Sequence, residues 1–271
     1  MHTSVNELEG KWAVILGASS GFGAATALTL ARAGMHIVGV HLDRRSTMAG
    51  VEKLKLELAA LGREALFFNV NAADEEKRKE TISALKAHLE GRGELGQVRV
   101  FMHSLAFGTL KRFIANTERD HISVAQVAMT LDVMANTLIY WTQDLVREGL
   151  MGEGGRIFSM TSGGDARVIP AYGAVSGAKA ALEAYTRQLA VELAPRGITA
   201  NALKAGVTET PALSKIPGSD LLIEGARRKN PAGRLTSPED VALAILALSG
   251  SAARWITGNV ICVDGGEDIV A

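Results

Sequence analysis

Tyr172 and Lys179 are the residues whose types and spacing could do chemistry together. They stand near the start of a helical run that ends at Glu192-Leu193-Ala194-Pro195. Upstream lie the strand-like Ile157-Phe158-Ser159-Met160-Thr161-Ser162 and a Gly-Gly turn. Seven residues is just under two helical turns, so the two side chains leave the helix within about 20° of each other. A phenol and an ammonium on one face suit carbonyl or enolate chemistry. The phenol offers a proton or hydrogen bond to a developing oxyanion, and the cation favours the ionised phenol. Taken alone, a tyrosine at a helix start most often packs and a helical lysine is most often solvated. The surroundings argue for more. Ala180 and Ala181 permit close approach, and Leu182, Tyr185, Leu189 and Leu193 recur every three to four residues. Such a helix is buried on one side and holds Lys179 near its start.

Alternating strands and helices position this pair. Trp12-Ala13-Val14-Ile15-Leu16 is a continuous apolar run, as in a strand buried on both faces. It enters Gly17-Ala18-Ser19-Ser20-Gly21-Phe22-Gly23 and an Ala-rich helix, Ala24 to Ala33, stopped by Gly34. Strand, glycine turn and helix together aim helix N-terminal amides at a phosphate. The spacing is G-x-x-x-G-x-G, which carries weight here because it sits between this strand and this helix. The second strand, His36 to His41, leads to Leu42-Asp43-Arg44-Arg45. Its end normally meets the adenosine ribose, where a carboxylate suits a free 2′-hydroxyl and arginines suit a 2′-phosphate. Both are present, and convergence of Arg44 and Arg45 on a dianion favours the phosphate. A solvated charged loop is the plain alternative.

Further along, helices are expected over Thr47 to Leu61, Asp74 to Glu90 and Glu118 to Glu148, the last capped by Asn116 or Thr117. Strands are expected over Glu64 to Val70, Val98 to Met102, Arg156 to Met160, Ile198 to Leu203 and Asn259 to Val263. Ser237 caps a final helix with Pro238 in its first position. The order specifies one α/β domain over residues 1–271, a doubly wound parallel sheet with helices on both faces. Ligands in such folds bind beyond the carboxyl ends of the strands. The Gly17 loop, the Ser104 region, Ser162, Tyr172 and the Gly206 loop all follow strand ends and can line one cleft.

Composition narrows the classes. With 47% hydrophobic and 21% charged residues among 271, the chain can bury a large core. Lys plus Arg and Asp plus Glu each total 29, a balance that points to neither nucleic acid nor an anionic membrane. The single Cys262 precludes an intramolecular disulfide and sits in an apolar strand pattern, most simply as core. The six histidines show no metal-ligand spacing, and no metal is expected. No apolar run approaches a membrane span, and Met1-His2-Thr3-Ser4 starts no signal peptide, so a reducing cytoplasm fits best.

Over nearly its whole length the chain resembles the short-chain dehydrogenase/reductase family, whose fold is the Rossmann type. The matching residues are Gly17, Gly21 and Gly23, Asn69-Val70, Lys179-Ala180-Ala181-Leu182, Asn201-Ala202, Ala205-Gly206 through Thr210, and Val263-Asp264-Gly265-Gly266. Most of the family carries Tyr four residues before Lys, where this chain has Val175. Tyr172, seven before, resembles the enoyl-acyl-carrier-protein reductase branch, as does His103-Ser104-Leu105-Ala106-Phe107. Asn230-Pro231-Ala232-Gly233-Arg234 is similar to that branch's NADPH-dependent members.

The resemblance implies hydride transfer from NADPH, or NADH, to the β-carbon of a 2-enoyl thioester, on acyl carrier protein or another carrier. Tyr172 would bond the enolate oxygen and Lys179 the nicotinamide ribose. Asn69 and Val70 would flank the adenine, Ser104, Leu105 and Ala106 the ribose, and Thr208 and Thr210 the carboxamide and phosphates. The glycine turn with Ser19, Ser20 and Phe22, the arginines Arg44 and Arg45, and Gly206 complete the expected cofactor set. A segment around 208–230, chiefly Leu213 to Arg228, would cover the acyl chain. A homotetramer is implied, with the helices around 118–148 and 171–194 as contact faces. Ser162 stands where ordinary carbonyl reductases keep an oxyanion-binding serine, and Asp132 where many members have Asn. These two motivate an alternative, a 3-oxoacyl-type carbonyl reductase; a nucleotide-binding protein without catalysis is the third reading.

Overall fold

The computed structural model describes residues 7–117, 119–165 and 167–270. The expected helix start at Glu118 and the Met1 to Ser4 segment lie outside the described residues. Seven parallel strands form one sheet: β1 (Trp12–Leu16), β2 (His36–His41), β3 (Ala65–Asn69), β4 (Val98–His103), β5 (Arg156–Ser162), β6 (Thr199–Ala205) and β7 (Val260–Val263). Their spatial order is β3-β2-β1-β4-β5-β6-β7. The order reverses between β1 and β4, which opens a crevice at their carboxyl ends.

The continuous apolar runs arise because both faces are covered. Trp12, Val14 and Leu16 point into one core layer. There they meet α3 (Glu75–Arg92), α5 (Thr137–Arg147) and α6 (Gly173–Leu193). Ala13 and Ile15 point into the other, built with α1 (Gly21–Arg32), α2 (Met48–Ala60) and α8 (Pro238–Ser249). Single-residue alternation thus feeds two cores at once. The remaining helices are α4 (Val124–Leu131) and α7 (Ser219–Lys229). Ser237 and Asp240 form a reciprocal capping box at the head of α8, with Pro238 in its first turn, as the sequence predicts.

Three expectations are corrected. The helix expected over Glu118 to Glu148 begins at Val124, because Ser123 and Gln126 form a capping box there, while the Thr117 hydroxyl donates to Asp120 at 2.5 Å instead. It is then interrupted by a π-helical turn, Asp132–Asn136, before α5 continues. Cys262 is exposed, because β7 is an edge strand with one neighbour. Among the described residues no helix is long and apolar enough to cross a membrane.

Candidate active site

A cleft of about 380 Å³ opens at the carboxyl ends of β1 and β4. Of the residues singled out from sequence, Gly17, Ser19, Ser20, Gly21, Phe22, Val70, Ser104, Leu105, Ala106, Ser162, Tyr172, Lys179 and Thr210 line it. Six of the candidates do not. Gly23 packs against the Gly17 carbonyl, behind the loop. Gly206 packs beside Thr236 and Glu267, and the Thr208 hydroxyl donates to the Gly206 carbonyl at 2.9 Å. Glu267 anchors the same loop by accepting the Val207 amide at 3.0 Å. Asn69 uses its amide on the Asp43 backbone, accepting from the Asp43 N–H at 2.9 Å and donating to its carbonyl at 3.0 Å. Arg44 and Arg45 are exposed and outside the lining.

The phosphate-facing wall follows from local geometry. Gly17 adopts φ +83°, and a β-carbon there would stand 2.3 Å from the Ser104 carbonyl oxygen. Only glycine lets the two strand-end loops approach this closely. Ser20 caps α1 without a side-chain hydrogen bond, and the first turn carries no acidic residue. The helix N-terminal amides therefore have no side-chain acceptor of their own, and they belong to a loop that lines the cleft. This donor set fits the pyrophosphate of a dinucleotide.

At the other end stands the expected pair. Tyr172 is 8% exposed, and its hydroxyl lies 3.3 Å from Ser162 Oγ at the end of β5. Two backbone features aim the ring. Ala171 holds φ +63°, a left-handed conformation unusual for alanine. The ring itself rests on Gly164, where a β-carbon would come within 2.6 Å of it. Val175 is buried in the core and does not reach the cleft. Lys179 is 5% exposed and donates to the Met160 carbonyl at 2.6 Å. Burial pushes its pKa down to about 8, the Glu183 carboxylate one turn along the helix pulling the other way. Glu183 in turn accepts from the Thr161 hydroxyl at 2.6 Å. The sequence reading missed Glu183, although its i+4 spacing from Lys179 is a visible signal.

His103 lies beneath the site at the end of β4, fully buried. The Thr137 hydroxyl donates to the Val133 carbonyl at 2.8 Å, so its oxygen accepts from His103 Nε2–H at 2.7 Å. Burial, then the Lys179 charge, push the His103 pKa down to about 3, so the ring is neutral. Other walls not read from sequence are Asn71 and Ala72 after β3 and Met129, Val133 and Met134 around the π turn, while Pro211, Ala212 and Lys215 belong to the segment expected over the acyl chain. The segment starts without helix or strand and runs through a short 3-10 turn, Leu213–Lys215, into α7. The Asn230 to Arg234 motif does structural work: Asn230 donates to the Asp264 carbonyl at 2.8 Å, and Arg234 pairs with Asp240 at the α8 cap.

Comparison with known proteins agrees with this architecture. A family profile described as "Enoyl-(Acyl carrier protein) reductase" matches residues 17–267. The 1-cyclohexenylcarbonyl-CoA reductase of Streptomyces collinus is 33% identical over 260 residues, covering 95% of this chain and 87% of that one. The crystal structure of enoyl-[acyl-carrier-protein] reductase (NADH) from Aquifex aeolicus VF5 superposes with a TM-score of 0.80 at 29% identity, covering 97% of this chain and 98% of that one. A short chain dehydrogenase from Burkholderia cenocepacia J2315 in complex with NADP gives a TM-score of 0.79 at 28% identity, covering 97% and 100%. Matched over residues 17–267 and sharing its fold with that Aquifex enzyme, the chain belongs to the enoyl-(acyl carrier protein) reductase-type family of short-chain dehydrogenase/reductases, a family of oxidoreductases.

Proposed function

We propose that the chain binds a nicotinamide dinucleotide in this cleft and reduces the C=C bond of a 2-enoyl thioester. The observation that carries the reading is that Tyr172, and not a residue at position 175, presents a hydroxyl to the cleft, with Lys179 buried beside it. The bound cofactor supplies a hydride. Addition at the β-carbon moves the C=C electron pair onto the thioester oxygen, and a proton then completes the α-carbon. Tyr172 hydrogen-bonds that enolate oxygen, where a positioned donor lowers the barrier most. Lys179 holds a cationic charge close to the phenol and the ribose, and its low exposure strengthens that charge's effect. The Gly17 to Gly21 turn and the head of α1 hold the pyrophosphate, and Ser104, Leu105 and Ala106 form the wall against the ribose. Arg44 and Arg45, the residues that argue for NADPH in the sequence, stand outside the lining and lend that choice little support. Fatty acid biosynthesis, on acyl carrier protein, is the setting this activity suits.

One observation favours a second reading. Ser162 Oγ stands 3.3 Å from the Tyr172 hydroxyl, so the two could bind a ketone oxygen together. Purified protein mixed with reduced cofactor and either a crotonyl or a 3-oxoacyl thioester separates the readings through absorbance of the cofactor. Crotonyl thioester should be consumed. Tyr172→Phe should lower kcat roughly 10²–10⁴-fold, with Ser162→Ala much milder. Consumption of the 3-oxoacyl thioester alone, with Ser162→Ala inactive and Tyr172→Phe near the parent rate, would overturn the proposal.

A further inference from the structure

Beneath Lys179 two chains of hydrogen bonds run in fixed directions, and each leaves an acceptor at its inner end. In the first, the Thr137 hydroxyl donates to the Val133 carbonyl, so its oxygen takes the His103 Nε2–H. The ring is neutral, and one proton on Nε2 makes Nδ1 a bare acceptor. Nδ1 is sealed from solvent and has no hydrogen-bond partner among the described residues. In the second chain, the Thr186 hydroxyl donates to the Leu182 carbonyl at 2.8 Å. Its oxygen therefore accepts the Ser159 hydroxyl at 2.8 Å, and the lone pairs of Ser159 Oγ can take a further donor. His103 and Ser159 are register partners on β4 and β5, and both are fully buried. Their partners Thr137 and Thr186 belong to α5 and α6, so the two side chains share one face of the sheet. Neighbouring strands lie about 5 Å apart, which sets the two acceptors side by side. Met160, the residue after Ser159, gives its carbonyl to Lys179 Nζ. The ammonium thus stands over the end of this strand pair, and its charge is felt at the His103 ring.

We propose that one buried water joins His103 Nδ1, Ser159 Oγ and the Lys179 ammonium, and that His103 is through it a positioning residue for Lys179. The water accepts one ammonium N–H and gives its two hydrogens to the two acceptors. That makes about three bonds, the number a buried water ordinarily forms. The same groups reject other occupants: a metal ion would meet the like charge of the ammonium, and an anion would meet two sets of lone pairs. An ammonium has three N–H groups. With the Met160 carbonyl and the water each taking one, the third is left for the cleft, where it meets the dinucleotide ribose. This last step rests on the dinucleotide reading of the cleft, whereas the water site does not. The chain beyond His103 ends at the Val133 carbonyl, which has no proton to pass on. The water therefore holds the ammonium in place and does not carry its proton away. Among the described residues, the titratable groups around Lys179 are Tyr172 and Glu183 on its own helix and His103 on β4, with Lys204 on β6 beside Thr161 in register.

A high-resolution crystal structure of the cofactor-free protein tests the site directly. It should show one ordered water within hydrogen-bond distance of His103 Nδ1, Ser159 Oγ and Lys179 Nζ. Side chains packed together there with no water between them overturn the proposal. Nitrogen-15 spectra should show His103 as the neutral Nε2–H tautomer, and an Nδ1–H tautomer overturns it as well. The positioning role is read from the titration of Lys179, followed by NMR at its labelled side-chain methylene and assigned with Lys179→Met. His103→Gln keeps a donor for Thr137 and removes the Nδ1 acceptor. The ammonium then loses a charge-assisted contact, and it should give up its proton about one pH unit lower than in the parent. His103→Asn keeps an acceptor oxygen near the Nδ1 position and should recover most of that difference. A Lys179 titration in His103→Gln that matches the parent overturns the positioning role. Should the variants fail to fold, the crystal structure and the tautomer of the parent decide. Failure of the parent to bind either nicotinamide dinucleotide refutes the cofactor reading and leaves the water site standing.

Discussion

Replacing Lys179 by methionine tests the electrostatics of the site without reference to any substrate. Burial lowers the lysine's pKa from 10.5 to about 8, so the folded chain binds this proton less tightly than the unfolded chain. Protonation therefore opposes folding at pH values below about 8, and the opposition fades as pH climbs towards 10.5. The shift corresponds to about 3 kcal/mol at pH 7, of which about 1.4 kcal/mol remains at pH 9.5. Lys179→Met removes that opposition and also leaves the Met160 carbonyl without its donor, a loss of roughly 1–3 kcal/mol. The carbonyl loss is independent of pH, and the other titrating groups are common to both proteins. The stability of Lys179→Met relative to the parent should thus fall by about 2 kcal/mol between pH 7 and 9.5. Urea unfolding of cofactor-free protein, at equal concentrations and at both pH values, measures this double difference. A relative stability that does not change with pH, or rises with it, would show that the ammonium is not desolvated as described.

Three other expectations concern the same framework. Gly164→Ala places a β-carbon within 2.6 Å of the Tyr172 ring, so it should lower kcat with little change in dinucleotide affinity, measured by steady-state kinetics and calorimetry. Ala171→Gly relieves about 1 kcal/mol of left-handed strain, partly offset by glycine's freedom in the unfolded chain. Its denaturation midpoint should be no lower than the parent's, while turnover drops because Tyr172 is less firmly aimed. Homotetramer formation would cover Val124 and Val191, which are 87% and 72% exposed in the single chain. Light scattering at micromolar concentration should return four chains, and a monomer would refute this.

The parts of the molecule that depend on local pattern were legible. Continuous apolar runs marked strands covered on both faces, and Ser237-Pro238 marked the head of α8. Tyr172 and Lys179 were legible because one short helical stretch carries both. What escaped depends on partners far apart in sequence. The resemblance makes Asn69 a wall of the adenine site; in the structure its side chain clamps Asp43, 26 residues away. Beyond it the Asp43 carboxylate lies against His41, while Arg44 and Arg45 are exposed outside the lining. The expected core position of Cys262 failed for a related reason: an apolar strand looks the same whether it lies inside a sheet or at its edge. The Ser123-x-x-Gln126 cap was visible in principle, but an apolar pattern continuing through the π turn hid the break.

The π turn at Asp132–Asn136 has a consequence for how this part of the chain tolerates change in length. A π turn holds one residue more than an α turn, so losing a single residue there would restore an unbroken α-helix without any penalty in backbone hydrogen bonds. The helix beyond the turn would keep its phase, because five residues across a π turn cover about the rotation and rise of four in an α-helix. Thr137 would stay beside His103 and Trp141 beneath the Ala72 carbonyl. Only the turn itself would change, where Val133 and Met134 form part of the cleft wall. The extra residue is a local bulge in the wall rather than a spacer between two registers. A one-codon deletion within 132–136 is therefore easier to accommodate than the same deletion early in α5, where everything beyond it would rotate by about 100° and Trp141 would lose its place.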